Sequence, residues 1–124
     1  MGTSPKVAVI GGDGIGPEVV EQAIRVADKA AQKRGGKVEW NHLPWSSAYY
    51  KQHGHIVPPD GWETLKEHDA VFLGAVGSPD VPDTVTVHGL LLPLRRKFDL
   101  YLNLRPAYLF EGAPCPLKDK APGS

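Results

Sequence analysis

The chain has 124 residues, 14 Lys+Arg against 14 Asp+Glu, and a formal net charge of zero. That balance excludes a general nucleic-acid or anionic-membrane binder, which needs a basic excess. A hydrophobic content of 41% with 23% charged residues excludes a disordered chain. The length suits one domain with a real core. The single cysteine, Cys115, leaves no intrachain disulfide framework and no cysteine-built metal site, and fits a reducing compartment. No stretch approaches the roughly 20 apolar residues of a membrane span. Residues 1–6 lack the apolar core and cleavage site of a secretory signal. The expectation is a cytoplasmic protein with neither nucleic acid nor membrane as partner.

The 14 glycines and 12 prolines predict many short elements. Residues 6–10 form a β-branched run that reads as a buried strand. The glycine loop Gly11-Gly12-Asp13-Gly14-Ile15-Gly16 follows. Pro17 then stands where a first helical residue belongs, since its missing N–H is unsatisfied there anyway. Over residues 17–33 the apolar positions Val20, Ala23, Ile24, Ala27, Ala30 and Ala31 have helical spacing. Lys29, Lys33 and Arg34 sit at the end, and Gly35-Gly36 stops the helix.

Residues 37–43 read as a second strand, with Val38, Trp40 and His42 on one face, and Pro44 ends it. Residues 46–52 suit a short helix closed by Gly54. Residues 61–68 suit another, with Trp62 and Leu65 inward. Residues 70–73 form a third buried strand, which runs into the second glycine loop, Gly74-Ala75-Val76-Gly77. Residues 79–83 are turn-rich. Residues 90–98 suit a helix only if Pro93 lies in its first turn. Residues 100–104 read as a strand ended by Pro106, and the chain beyond Tyr108 is loop-like. The alternation predicts an α/β fold, a partial sheet of parallel strands with flanking helices. Ligands of such sheets sit beyond the carboxyl ends of the strands, where both glycine loops fall.

The first loop places its glycines at i, i+2 and i+4, so it is neither the dinucleotide fingerprint nor a P-loop. Two readings stand: a backbone cradle for an anion or amide, or a tight β-to-α turn. Arg95, Arg96, Lys97 and Arg105 concentrate positive charge near the end of the chain. Guanidinium groups suit two-pronged carboxylate recognition. Composition alone favours a solvated basic face, but apolar Leu94, Phe98, Leu100, Leu102 and Leu104 surround these charges. His53 and His55 read as a surface loop, because no further metal ligand is obvious nearby. His88 has no partner visible in the sequence that would make it a base. Trp40, Trp45 and Trp62 read as core.

Four motifs occur together and in order: Gly12-Asp13-Gly14-Ile15-Gly16-Pro17-Glu18, Phe72-Leu73-Gly74-Ala75-Val76-Gly77, Leu94-Arg95-Arg96-Lys97-Phe98-Asp99-Leu100 and Asn103-Leu104-Arg105-Pro106. In this combination the chain resembles the N-terminal part of the β-decarboxylating dehydrogenases, the isocitrate, 3-isopropylmalate and tartrate/D-malate enzymes. Trp45-Ser46-Ser47-Ala48-Tyr49-Tyr50, His53-Gly54, Val81-Pro82-Asp83 and Pro114-Cys115-Pro116-Leu117 look most like the tartrate/D-malate branch. The isopropylmalate branch is the runner-up, and a non-catalytic truncated remnant that keeps half a site is the other alternative.

The resemblance implies an NAD- and Mg2+- or Mn2+-dependent oxidation of a 2-hydroxy acid. Hydride leaves C2, and the 2-keto acid can lose its β-carboxylate. By position, Arg95 and Arg105 match substrate-carboxylate arginines. His88 and Gly89 fall where the substrate's distal group is touched. Ile15, Gly74, Ala75, Val76 and Gly77 match segments facing the cofactor. The resemblance also implies that residues 1–106 are the first part of a large α/β domain and residues 107–124 the start of a connection to a second domain. The family's catalytic tyrosine and lysine and its metal-binding aspartates belong to later segments. No catalytic residue and no metal ligand is therefore expected within this chain, and a homodimer is expected of the full-length form.

Overall fold

A computed structural model describes residues 4–123. Strand β1, Lys6–Gly12, leads into helix α1, Gly16–Lys33. Strand β2, Glu39–Leu43, is followed by α2, Ser47–His53, and α3, Gly61–Lys66. Strand β3, Ala70–Ala75, precedes α4, Asp83–Thr86, a π-helical turn, Val87–Leu91, and α5, Leu92–Lys97.

The strands form one parallel sheet in the order β2-β1-β3. Val7 faces Trp40 on one side and Ala70 on the other, and Ile10 likewise lies between Leu43 and Leu73. As the middle strand of a sheet covered on both faces, β1 buries Ala8, Val9 and Ile10 completely. Ala8 and Ile10 join Trp45, Ile56, Leu65, Leu90 and Leu94 in one core cluster. Helix α1 lies against β1 and β3. Each large aliphatic side chain buried here contributes about 1.5–3 kcal/mol.

Local chemistry sets the element ends. α1 opens at Gly16, one residue before the expected start, with Pro17 second and Glu18 in its first turn. Beyond its last turn, the N–H groups of Gly35 and Gly36 return to the Gln32 and Ala31 carbonyls. Ser46 caps α2 by accepting the Tyr49 N–H at 3.1 Å, and Gly54 closes it at φ 76.

The helical stretch 83–97 is longer than the one expected over residues 90–98. Its π turn has a physical cause. Pro93 offers no N–H to the Gly89 carbonyl, and the Leu92 N–H reaches back five residues to the Val87 carbonyl instead. Buried Thr86, Leu90 and Leu94 are four apart. An unbroken α-helix would swing each about 40° past the last, and one wider turn reduces that drift.

Several expectations need correction. β2 begins at Glu39, and His42 is exposed. On α1, Ala30 faces solvent, while Val20 is buried and Ala23, Ile24, Ala27 and Ala31 are half-buried. Residues 100–104 form no strand. Asp99 turns the chain at φ 51, and the Leu100 and Tyr101 N–H groups bond back to the Arg95 and Asp99 carbonyls. These local bonds replace a ladder, and Leu100, Tyr101, Leu102 and Leu104 are all exposed. No described helix is long and apolar enough to cross a membrane.

Candidate functional site: the carboxyl ends of β1 and β3

Gly12 and Ala75 pair at the last rung between β1 and β3, so the two glycine loops leave the sheet side by side. They pack backbone to backbone. A Cβ on Gly12 would collide with the Ala75 carbonyl oxygen, and one on Gly74 with that of Gly11. Close approach therefore accounts for these two glycines without any ligand. Gly14 and Gly77 differ: their added Cβ atoms would meet nothing within 4 Å. Both border open space, and Ile15, next to Gly14 in the chain, is 68% exposed.

Asp13 joins the loops. Its N–H donates to the Ala75 carbonyl at 2.7 Å, and its own carbonyl accepts the Gly16 N–H at 2.8 Å. Oδ1 of its carboxylate accepts the Ser47 N–H at 2.8 Å. Oδ2 accepts the Ser47 hydroxyl at 2.7 Å and the Gly77 N–H at 2.9 Å. An acid from the first loop thus holds the start of α2 and the second loop. A cleft of about 260 Å³ lies beside it, lined in part by Gly14, Ser47, Lys51, Gly77 and Ser78. Lys51 pairs with Asp80 at 3.0 Å.

The loop that carries Ile15 and the loop of residues 74–77 are joined by the Asp13 N–H to the Ala75 carbonyl and by the Gly77 N–H to the Asp13 carboxylate. His88 and Gly89 lie in the π turn, on the same continuous helical stretch as Arg95. His88 is exposed, and Gly89 is half-buried. A Cβ on Gly89 would press Ile56 Cγ2 at 2.8 Å. Arg95 is exposed on α5, and Arg105 is exposed beyond it. The side chains of Arg95, Arg96 and Arg105 make no hydrogen bond or ion pair with a described residue. They are free cations available to an anion. Lys97 differs, lying 5.4 Å from the Trp62 ring centroid.

His53 ends α2 instead of lying in a loop. It stacks on Tyr49 at 4.0 Å and contacts the Tyr49 carbonyl through Nδ1 at 3.0 Å. His55 meets the same tyrosine edge-on at 5.9 Å. Among the described residues no group of three or more His, Cys, Asp or Glu could hold a metal. The residues present do not fit a metal centre of their own. Bare backbone at Gly14 and Gly77 and an uncovered Ile15 leave room at these loops for a bound group.

A family model described as isocitrate/isopropylmalate dehydrogenase matches residues 6–124. The chain belongs to this family. It is 48% identical over 120 residues to the D-malate dehydrogenase [decarboxylating] of Escherichia coli (strain K12), covering 95% of this chain and 33% of that one. The tartrate dehydrogenase/decarboxylase of Pseudomonas putida gives the same identity and the same shares. The chain thus spans about a third of the length of the relatives it matches. Among solved structures, the apo β-decarboxylating dehydrogenase of Thermococcus kodakarensis superposes with a TM-score of 0.60 at 36% identity. That match covers 78% of this chain and 27% of the other.

Asp13 and Ser47 are the residues that sequence reasoning passed over. The only signal was an acid set between glycines. Its partner lies 34 residues away, which no local pattern reveals.

Proposed function

We propose that these residues form the N-terminal part of an NAD- and divalent-metal-dependent dehydrogenase. It oxidises a 2-hydroxy dicarboxylic acid such as tartrate or D-malate, with oxidative decarboxylation, as a cytoplasmic homodimer. The observation that carries this reading is the pair of adjoining glycine loops at the strand ends, in a chain 48% identical to a D-malate dehydrogenase. In this proposal residues 1–106 begin the large domain and residues 107–124 start the connection to a second. The metal ligands and the proton-transfer groups come from segments beyond these residues.

NAD held against Ile15 and residues 74–77 would supply the acceptor for the hydride of C2. The roles left to this chain are binding and orientation. Ile15 and residues 74–77 line one side of the nicotinamide cofactor. Arg95 and Arg105 grip substrate carboxylates, and the planar fork of each suits two oxygens at once. His88 and Gly89 stand where the substrate's distal group is sensed. Fixing carboxylates in this way places C2 for reaction, and orientation of this kind supplies a large share of enzymatic rate enhancement.

The test is the complete reading frame that contains these residues, expressed and assayed with NAD and Mn2+ or Mg2+. Turnover of D-malate or tartrate is expected. Turnover of 3-isopropylmalate alone would move the reading to that branch. No turnover of any of the three would overturn it. The 124 residues by themselves are expected to oxidise none of them, because hydride transfer needs metal, proton acceptor and cofactor held together.

A further inference from the structure

The geometry points to Asp13 as the positioning residue of the cofactor wall, an inference that rests on the reading of Ile15 and residues 74–77 as that wall. Three segments distant in sequence meet at this side chain: the first glycine loop, the start of α2 and the loop after β3. Three donors converge on the two carboxylate oxygens, leaving little acceptor capacity for a ligand. Neutral donors supply all these contacts, and no lysine or arginine pairs with Asp13 among the described residues. Hydrogen bonds to an ionised acceptor are roughly twice as strong as neutral ones. Ser47 is buried at 2% exposure, so water does not readily replace the carboxylate there.

The consequence is geometric. Ile15 follows Asp13 by two residues, and Gly77 is itself one of the donors. The acid therefore sets the spacing between the two sides of the wall before any cofactor arrives. Preset geometry of this kind raises affinity by cutting the ordering cost of binding.

The test compares Asp13→Asn with wild type in the full-length protein. The asparagine keeps the shape but turns an NH2 toward groups that are themselves donors. NAD affinity is read by titration of tryptophan fluorescence. Amide hydrogen exchange reads the loops independently of activity. The Kd for NAD is expected to rise about tenfold, the size of one lost charge-assisted bond. Turnover at saturating NAD and the KM for the hydroxy acid should stay within about threefold, well below that loss. The Ser47 and Gly77 amides should exchange faster, while those of Val9 and Ile10 in β1 keep their protection.

Ser47→Ala is a milder probe, for use also if Asp13→Asn fails to fold. It removes only the hydroxyl donor and should weaken NAD by a smaller factor, about threefold. The double variant should bind NAD no more weakly than Asp13→Asn by more than about twofold, because the two groups share one network. A wild type that binds NAD together with variants of unchanged Kd overturns the proposal alone. A wild type that fails to bind NAD overturns the cofactor-wall reading, and the proposal with it.

Discussion

Ile10, Leu65 and Leu90 are at most 1% exposed, whereas Tyr101, Leu104 and Phe110 are 96%, 78% and 68% exposed. All six are large apolar or aromatic residues of the same chain. The first three belong to strands and helices that cover one another. The second three follow α5, in a segment with no strand, no helix and no buried residue. Apolar sequence is thus not enough for burial: a second surface must be present. Residues 6–98 supply their own, and residues 99–123 have none among the described residues. The site divides along the same line. The side proposed for the cofactor is held by hydrogen bonds through Asp13, while Arg105, proposed for the substrate, stands on the uncovered segment.

The largest effect should come from leaving that segment uncovered. In isolation the 124-residue chain is expected to aggregate or to bind apolar dyes, because the exposed apolar run is a ready contact surface. Replacing Leu102, Leu104 and Phe110 together with serine should reduce the association seen by light scattering. Cooperative thermal unfolding of a monodisperse 13.4 kDa monomer would show that residues 99–123 need no covering surface.

A smaller effect probes the packed side. In the complete protein, Leu90→Ala should cost about 2–5 kcal/mol in urea unfolding, since a fully buried leucine leaves a cavity. A cost under about 0.5 kcal/mol, typical of surface changes, would show that this core is loose. Smaller again, Gly74→Ala should cost about 1–3 kcal/mol, as overpacking does. Its Cβ would strike the Gly11 carbonyl and lie 2.9 Å from Val20 Cγ2. A neutral result would mean that the loops can separate, and would weaken the prebuilt wall.

What could be read in the sequence follows the same division. The three strands of the sheet and α1 were legible because their signals are local: β-branched runs, helical spacing, Pro17 and the glycine stops. The strand expected over residues 100–104 had the same kind of signal and did not form. Alternating leucines describe a strand that has a neighbour, and nothing local says whether the neighbour exists. The wider turn at residues 87–91 was hidden for a related reason. Pro93 marks a missing donor, but whether the helix stops there or loosens depends on Thr86, Leu90 and Leu94 sharing one buried face. At the site, the glycine loops were visible as punctuation and Arg95 and Arg105 as charge within apolar sequence. Asp13 was not, because its meaning lies in Ser47 and Gly77, which only the fold brings near.

Arg95 and Arg105 are proposed as the carboxylate grip of a 2-hydroxy acid dehydrogenase. The most direct test is kcat/KM of the complete enzyme in three variants: Arg95→Lys, Arg105→Lys and Arg96→Lys. Each keeps the charge and removes the two-pronged contact. Arg95→Lys and Arg105→Lys should each lose about 1.5–3 kcal/mol of transition-state binding, on the order of 10- to 100-fold in kcat/KM. Arg96→Lys should change it by less than about twofold, as a surface substitution does. Equal damage from all three, or unchanged kcat/KM for Arg95→Lys and Arg105→Lys, would contradict the claim.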